Sequence, residues 1–203
     1  MAKNMNYRNL ILNELVPYFE VDERYHLCLG DSGFGSIDLL VNQFPDRVTN
    51  GGIMEQGMVG IAAGLAMTGK IPIIFTICNF LCFRALEQIR NDVLLHGLNV
   101  KFIGTGAENY FDFLGPSHTC DQDDKKIFDI IGLEVFDPYE GIKELLEKKQ
   151  NKFFKDNKDK LNWDKYYAYD LSECEPSEEE AREWFKNFVG DFMLSEKAGY
   201  IRV

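Results

Sequence analysis

The stretch Gly52-Ile53-Met54-Glu55-Gln56-Gly57-Met58-Val59-Gly60-Ile61-Ala62-Ala63-Gly64-Leu65-Ala66 is the most informative part of this chain. It places one acidic side chain, Glu55, at the start of an otherwise small and apolar helix. Small residues of that helix form a face that another backbone can approach closely: Gly57, Gly60, Ala63 and Gly64. A carboxylate beside such a face loses its water, and proteins seldom bury an acid without a partner. Glu55 therefore either caps the helix N-terminus, where a carboxylate is stabilised, or meets a ligand.

The composition favours one globular domain without a nucleic-acid partner. The 203 residues are 45% hydrophobic and 27% charged, which suits a domain with a full core. The net charge of −11, with no cluster of lysine and arginine, argues against binding to nucleic acid. We recognise no signal peptide and no apolar run that approaches a membrane span, so we expect no membrane association and a cytoplasmic location.

The cysteines and histidines predict buried thiols rather than a metal site. The five cysteines include no Cys-x-x-Cys pair, and Cys28 and Cys78 lie in strand-like runs. Buried free thiols are typical of proteins in a reducing cytoplasm. The histidines His26, His96 and His118 lack metal-ligand spacing, so we expect no metal ligand on this chain.

Short apolar runs alternate with helical patterns along most of the chain. Predicted strands lie at 26–30, 47–50, 71–76, 100–104, 134–137 and 200–203. Predicted helices lie at 7–18, 36–43, 54–68, 80–96, 123–131 and 139–149. This rhythm predicts an α/β fold with a doubly wound, mostly parallel sheet of about six strands and helices on both faces. Ligands of such sheets bind beyond the carboxyl ends of the strands, so we expect the site within 31–36, 51–55, 77–80 and 105–118.

The rhythm stops at 148–177. This segment is first rich in lysine and then aromatic, with Trp163, Tyr166, Tyr167 and Tyr169. Ser177, with Glu180 three residues later, forms a capping box that predicts a helix over 181–194. We interpret about 150–197 as a surface insertion before the last strand. The alternative is a docking element for a partner, because aromatic residues are enriched at interfaces.

Several short blocks occur in the order found in a known family. They are Phe44-Pro45-Asp46-Arg47, Gly52-Ile53-Met54-Glu55-Gln56, Ala62-Ala63-Gly64-Leu65-Ala66, Arg84-Ala85-Leu86-Glu87-Gln88-Ile89-Arg90-Asn91-Asp92, Leu98-Asn99-Val100-Lys101, Gly115-Pro116-Ser117-His118 and Gly199-Tyr200-Ile201-Arg202-Val203. Through these blocks the chain, over about 27–139 and 198–203, resembles the pyrimidine-binding domain of transketolases. The likeness is greatest to the two-subunit form, in which that domain lies on the smaller polypeptide.

The resemblance implies a partner for Glu55, the N1′ nitrogen of the aminopyrimidine of thiamine diphosphate. A carboxyl that shares a proton with N1′ prepares the 4′-amino group to accept the proton of thiazolium C2, and the cofactor performs the carbanion chemistry. Phe80 corresponds to the family's aromatic ring that stacks on the pyrimidine, and Phe83 extends that wall. Without the resemblance, Phe80 is interpreted as an ordinary core residue.

The resemblance implies three further site residues. Arg84 faces the cofactor or a substrate anion, or else forms a surface ion pair with Glu87 or Glu14. His118, the second expected catalytic residue beside Glu55, bonds a substrate hydroxyl or transfers a proton, unless its role is structural. Asp31 lies near the cofactor, or else serves only as a turn residue.

Departures from the family pattern define what we expect this chain to lack. The family holds diphosphate and magnesium with Gly-Asp-Gly and a downstream Asn, and Gly30-Asp31-Ser32 is not that motif. We therefore expect one pyrimidine-binding domain over 1–203, with no diphosphate-binding domain and no C-terminal transketolase domain. Thr105-Gly106 and Phe113-Leu114-Gly115 stand where transketolases have Thr-His and Glu-Asp-Gly, which read ketose hydroxyls. The substrates are then not the usual ketose phosphates.

The expected function is that of the pyrimidine-binding subunit of a two-component, thiamine diphosphate-dependent enzyme of transketolase type. It transfers a two-carbon or acyl unit to a carbonyl acceptor, in the synthesis of an unusual sugar, and its substrate is a small sugar or 2-oxo acid. The diphosphate-binding subunit supplies the Mg²⁺ ligands, and the expected assembly is a heterotetramer. The alternatives are half of a 2-oxo-acid decarboxylase or carboligase, and a non-catalytic relic that only binds a partner. Retention of Glu55 and Phe80 in register argues against the relic.

Overall fold

The computed structural model describes residues 6–156 and 174–203. Its strands are β1 (Tyr25–Leu29), β2 (Val48–Asn50), β3 (Ile71–Ile77), β4 (Lys101–Thr105), β5 (Glu134–Phe136) and β6 (Gly199–Arg202). Its α-helices are α1 (Tyr7–Asn13), α2 (Val16–Val21), α3 (Asp38–Gln43), α4 (Glu55–Met67), α5 (Leu86–Gln88), α6 (Asp123–Ile131), α7 (Pro138–Asp156) and α8 (Glu178–Leu194). Each predicted strand is therefore confirmed to within a few residues.

The strands form one parallel sheet in the order β2-β1-β3-β4-β6-β5. The chain leaves β1 outward to β2, and then crosses back to β3 and continues outward in the other direction. The order therefore reverses between β1 and β3, and this is where parallel sheets open a crevice at their carboxyl ends. The predicted doubly wound α/β architecture of about six strands is confirmed.

Two apolar cores cover the two faces of the sheet. Along β3, Ile73 and Phe75 pack in the core that contains residues of α1, α2, α3 and α8. Ile74, between them, packs in the opposite core with residues of α4 and α6. This alternation follows from the pleat, which turns successive side chains to opposite faces. Burial on both faces explains why the strand sequences are apolar throughout.

Two predicted helices differ from the simple expectation. The helix predicted over 7–18 is divided into α1 and α2, and Pro17 lies in the first turn of α2. Proline lacks the N–H that would continue the helical hydrogen bonds, but it is favourable in a first turn. The helix predicted over 80–96 contains π-helical turns at Phe80–Arg84 and Ile89–Leu94, on either side of α5. Such turns are frequent at functional sites.

The segment before β6 contributes to the core through α8. Ser177 and Glu180 form the predicted capping box, and α8 begins directly after Ser177. The buried residues of α8 recur at helical spacing: Ala181, Phe185, Val189, Phe192 and Met193. This part of the predicted insertion is therefore not a surface appendage. The aromatic residues Trp163, Tyr166, Tyr167 and Tyr169 lie outside the described residues.

The longest described helix is α7, with 19 residues. Its sequence is rich in lysine and glutamate, and Pro138 is its one buried residue. Within residues 6–156 and 174–203, no helix combines the length and the apolar character that a membrane crossing requires.

Candidate active site

The segments that follow β2, β3 and β4 approach one another at one edge of the sheet. Because the strands are parallel, their carboxyl ends share that edge. Glu55 is the first residue of α4 after β2, Phe80 begins the π-helical turn after β3, and His118 ends a short 3₁₀ turn after β4. A chain of side-chain contacts joins these three residues, all of which belong to the segments predicted for the site.

The carboxylate of Glu55 is buried and engaged on both oxygens. The residue is 1% exposed. Thr76, near the end of β3, donates its hydroxyl to Oε1 at 3.3 Å, and Arg84 Nη1 lies 2.5 Å from Oε2. Both interactions are made with elements other than α4. Glu55 therefore does not use its side chain to cap its own helix.

The guanidinium of Arg84 lies between Glu55 and Phe80. Its central carbon is 4.2 Å from the centroid of the Phe80 ring, and its side chain is 40% exposed. A cation in this position gains both from the ring face and from the charge-assisted hydrogen bond. Neither Glu87 nor Glu14, the surface partners considered from the sequence, takes this role.

His118 and Phe80 form the next contact. Their rings meet edge to face with 5.1 Å between centroids. Ser117 Oγ lies 3.0 Å from His118 Nδ1, and Asn79 Nδ2 donates to the Ser117 carbonyl at 2.6 Å. The second bond ties the loop after β4 to the start of the π-helical turn. Among the described residues no partner bonds Nε2 of His118, so this nitrogen is available to a ligand.

A cleft of about 530 Å³ adjoins Phe80 and Arg84, whereas Glu55 and His118 are not among its lining residues. It is lined by Asn79, Phe80, Phe83, Arg84, Pro116, Ser117, Thr119 and Asp123. Phe83, which is 54% exposed, is one of these lining residues. The volume is in the range of small-molecule sites. A larger depression of about 950 Å³ beside α8 is lined mainly by acidic surface residues and includes no strand end, so we place the site in the smaller cleft.

Asp31 lies at the end of β1, paired with Asn50 at the end of β2. The backbone N–H of Asp31 donates to Asn50 Oδ1, and Asn50 Nδ2 donates to Asp31 Oδ1, both at 3.1 Å. Asp31 has a φ of 51°, which is uncommon for a residue other than glycine but tolerated by aspartate. The described contacts thus give Asp31 a turn role. They do not join it to Glu55 or Phe80.

A buried charged cluster beneath the cleft was not predicted. Arg202 and Asp124 are both 0% exposed, with Arg202 Nε 3.2 Å from Asp124 Oδ2. The Tyr200 hydroxyl donates to the same oxygen at 2.7 Å. Burial is the main cause that raises the pKa of Tyr200 well above its ordinary value, so the phenol keeps its proton and remains a donor. The sequence feature that could have indicated this cluster is an arginine, Arg202, in an otherwise apolar buried strand.

Two thiols adjoin this cluster. Cys78 and Cys120 have their sulfur atoms 3.0 Å apart, and with Asp124 they place three possible metal-ligand atoms within 4.8 Å of one another. Asp124 already has Arg202 as its charge partner. The hydrogen bond to Cys78, followed by burial, raises the pKa of Cys120. The contact between the two thiols and the ion pair of Asp124 with Arg202 account for this arrangement of side chains.

Several proteins similar to this chain are named as transketolase subunits. The family model described as the transketolase pyrimidine binding domain matches residues 3–151. The 6-deoxy-6-sulfo-D-fructose transketolase subunit SqwH of Clostridium sp. (strain MSTE9) is 30% identical over 135 residues, 66% of this chain and 42% of that protein. An apulose-4-phosphate transketolase subunit of Actinobacillus succinogenes is 36% identical over 98 residues, 48% of this chain and 32% of that protein. The chain therefore spans less than half the length of these relatives.

Solved structures show the same fold. A split gene transketolase, described as an inactive beta4 tetramer, matches 97% of this chain with 50% of its own, at a TM-score of 0.62 and 25% identity. The transketolase of Campylobacter jejuni subsp. jejuni NCTC 11168 matches 96% of this chain with 25% of its own, at a TM-score of 0.64 and 15% identity. The family match covers most of the chain, and the sheet is that of the solved relatives. The chain therefore belongs to the transketolase family, as a pyrimidine-binding domain.

Proposed function

We propose that this chain is the pyrimidine-binding subunit of a two-component, thiamine diphosphate-dependent transferase of transketolase type. The observation that carries the proposal is the buried Glu55 carboxylate, joined through Arg84 to the ring face of Phe80. A flat nitrogen heterocycle needs a hydrogen-bonding group at its edge and an apolar surface on its face. These two residues supply both beside the cleft.

The described residues fit the aminopyrimidine part of the cofactor. Phe80 is half-buried and presents a ring face, and Phe83 continues the apolar wall. Glu55 accepts at the edge of that surface, while Arg84 borders it. Asp31 lies after a strand of the same sheet edge, and we include it in the wider cofactor site.

The chain's own residues have distinct roles in the proposed reaction. Thiamine diphosphate, when bound, supplies the carbanion-stabilising chemistry. Glu55 holds a proton at the ring nitrogen of the heterocycle, and the Thr76 hydroxyl on Oε1 orients the carboxyl so that Oε2 faces the site. His118, on the other side of Phe80, bonds a substrate hydroxyl or moves a proton to or from the substrate.

A partner subunit completes the proposed site. The sequence contains no Gly-Asp-Gly motif, so we place the diphosphate and Mg²⁺ ligands on a diphosphate-binding subunit. Exposed apolar residues flank Glu55 and continue along α4: Ile53, Met54, Ile61 and Met67. A Cβ added at Gly60 or Gly64 would meet nothing within 4 Å, whereas Ala63 is buried in this chain's own core. This surface supports a heteromer, with a heterotetramer as the simplest symmetric form.

The named relatives and the exposed loop after β4 favour two different candidate reactions. Relatives named for sulfofructose and apulose phosphate act on sugars other than the common ones, which favours a two-carbon transfer to an unusual sugar. Phe113 and Leu114, which are 75% and 49% exposed, favour instead a less hydroxylated substrate. The second candidate is therefore half of a 2-oxo-acid decarboxylase or carboligase. All five cysteines are buried and none forms a disulfide, which supports a reducing location such as the cytoplasm.

The substitution Glu55→Gln tests the proposal in the complex with the diphosphate-binding partner. Glutamine has the shape of glutamate but cannot hold a transferable proton. We expect both turnover and the exchange of the cofactor's C2 proton for deuterium to fall at least about a hundredfold, a typical scale for proton-transfer groups. Glu20→Gln, at an exposed position of α2, is the matched control and should change neither rate.

Two outcomes would contradict the proposal in different ways. An unchanged C2 exchange rate in Glu55→Gln, with cofactor bound, would show that Glu55 is not the activating acid. A wild-type complex that binds no thiamine diphosphate would remove the assignment altogether. Light scattering of both variants checks that assembly is intact before the rates are compared.

A further inference from the structure

The guanidinium of Arg84 makes the same two contacts that the proposed function assigns to the aminopyrimidine. Nη1 lies 2.5 Å from Glu55 Oε2, and the guanidinium carbon lies 4.2 Å from the centroid of Phe80. A guanidinium is flat and carries N–H donors at its edge, as a protonated aminopyrimidine does. One side chain of this chain thus meets both the acid and the ring that we assign to the cofactor.

The guanidinium and a pyrimidine exclude each other at these contacts. Thr76 already donates to Oε1 of Glu55, so Oε2 is the oxygen that remains for a ligand. Arg84 holds Oε2 and also covers the ring of Phe80. A ligand that bonds Oε2 and stacks on the same face of Phe80 therefore has to displace the guanidinium.

We propose that Arg84 is an internal stand-in for the pyrimidine, which closes the site of the free chain until the cofactor displaces it. The inference rests on the proposed function, and it changes the role of Arg84 from a cofactor contact to a gate. Its side chain is 40% exposed, so it can leave without breaking the core. The same cleft is lined by the carboxylate of Asp123, which offers the displaced cation a second partner.

Displacement of Arg84 exchanges its contacts for those of the ligand. In the free chain the guanidinium lies 2.5 Å from the buried carboxylate of Glu55, and the other described hydrogen-bond partner of Glu55, Thr76, is uncharged. A heterocycle that takes the place of the guanidinium therefore has to replace a charge-assisted hydrogen bond and a cation–π contact. Removal of the guanidinium should strengthen binding of the heterocycle.

The test is calorimetry of the full chain with 4-amino-5-hydroxymethyl-2-methylpyrimidine, a probe that needs no diphosphate site. For Arg84→Met we expect binding about tenfold tighter than for the wild-type chain, because the probe no longer competes with an ion pair and a cation–π contact. Arg90→Met removes an exposed arginine bonded to Asn91 and should behave as wild type.

The outcomes separate this inference from the proposed function. Equal or weaker binding of the probe by Arg84→Met would overturn the stand-in role alone. Absence of probe binding in both chains would overturn the pyrimidine site and the stand-in together. Tighter binding by Arg84→Met, with wild-type affinity in Arg90→Met, supports the proposal.

Discussion

The ring of Phe80 meets the imidazole of His118 edge to face, with 5.1 Å between the two centroids. Phe80 follows β3 and His118 follows β4, so neighbouring parallel strands bring together residues that are far apart in sequence. The hydrogen bond from Asn79 to the Ser117 carbonyl, at 2.6 Å, fixes the same junction. The ring proposed to bind the cofactor and the imidazole proposed to act on the substrate are therefore in direct contact. Substitution of Phe80 should affect cofactor binding, and substitution of His118 should affect the substrate steps.

Replacement of Phe80 by alanine should weaken binding of thiamine diphosphate to the two-subunit complex. Aromatic pairs contribute about 0.5–1.5 kcal/mol beyond their area, so we expect a two- to tenfold loss of affinity with Phe80→Ala and little change with Phe80→Tyr. Calorimetry measures both. The control is Leu194→Ala, which removes an exposed apolar side chain at the end of α8, away from the proposed site. Equal affinities for Phe80→Ala and the control would exclude stacking.

Replacement of His118 by asparagine should affect the substrate steps and spare cofactor activation. We expect turnover to fall about a hundredfold, the lower end for a general acid or base, while the C2 exchange rate stays at its wild-type value. Glu55→Gln is expected to lower both rates. Comparison of the two variants therefore distinguishes cofactor activation from the later substrate steps. A parallel fall in C2 exchange would instead place His118 in cofactor activation.

Loss of the Asp124 carboxylate should destabilise the fold. In Asp124→Ala the buried Arg202 loses a partner at 3.2 Å, and Tyr200 loses its acceptor. Arg202 keeps Asp137 and Glu108, each at 3.1 Å, so the cost stays below the roughly 3–5 kcal/mol of an unpaired buried charge. We expect a loss of about 1–3 kcal/mol, which urea unfolding measures directly. Arg182→Ala, which removes an exposed pair with Glu178, should cost less than about 1 kcal/mol. Similar values for the two variants would show that the buried cluster contributes little.

The capping box of α8 should make part of the stability depend on acid pH. The ammonium of Lys149 and the backbone N–H of Ser177 lower the pKa of Glu180 from 4.5 to about 2. A carboxyl with a depressed pKa in the folded state stabilises that state above its ordinary pKa, and the contribution is lost as pH falls from about 4.5 to 2. Urea unfolding of the wild type and Glu180→Gln should therefore converge in stability over this range. A difference in unfolding free energy that stays constant over this pH range would contradict the stabilisation of the Glu180 carboxylate by Lys149 and Ser177.

Local sequence patterns were sufficient for the sheet and for most helix boundaries. Apolar runs of strand length, separated by helical patterns, predict buried parallel strands because both faces of each strand need cover. The cap of α8 was predicted from Ser177 and Glu180, since a capping box is made within four residues. Glu55 and Phe80 became candidates only through the family resemblance, because local pattern alone leaves Glu55 as a possible helix cap and Phe80 as a core residue.

The ion-pair partners of the charged side chains could be identified only from the folded structure. Sequence patterns pair Arg84 with surface acids or with a ligand, yet its carboxylate is that of Glu55, which is 29 residues away in sequence. Arg202 pairs with Asp124 across the end of the sheet, and α8, interpreted as part of a surface insertion, fills one core. Helical and strand periods report which face of an element is buried, but they carry no information on which distant element covers it. The order of the strands in the sheet determines which loops meet at its carboxyl edge. It therefore also determines which oppositely charged side chain lies beside each buried charge.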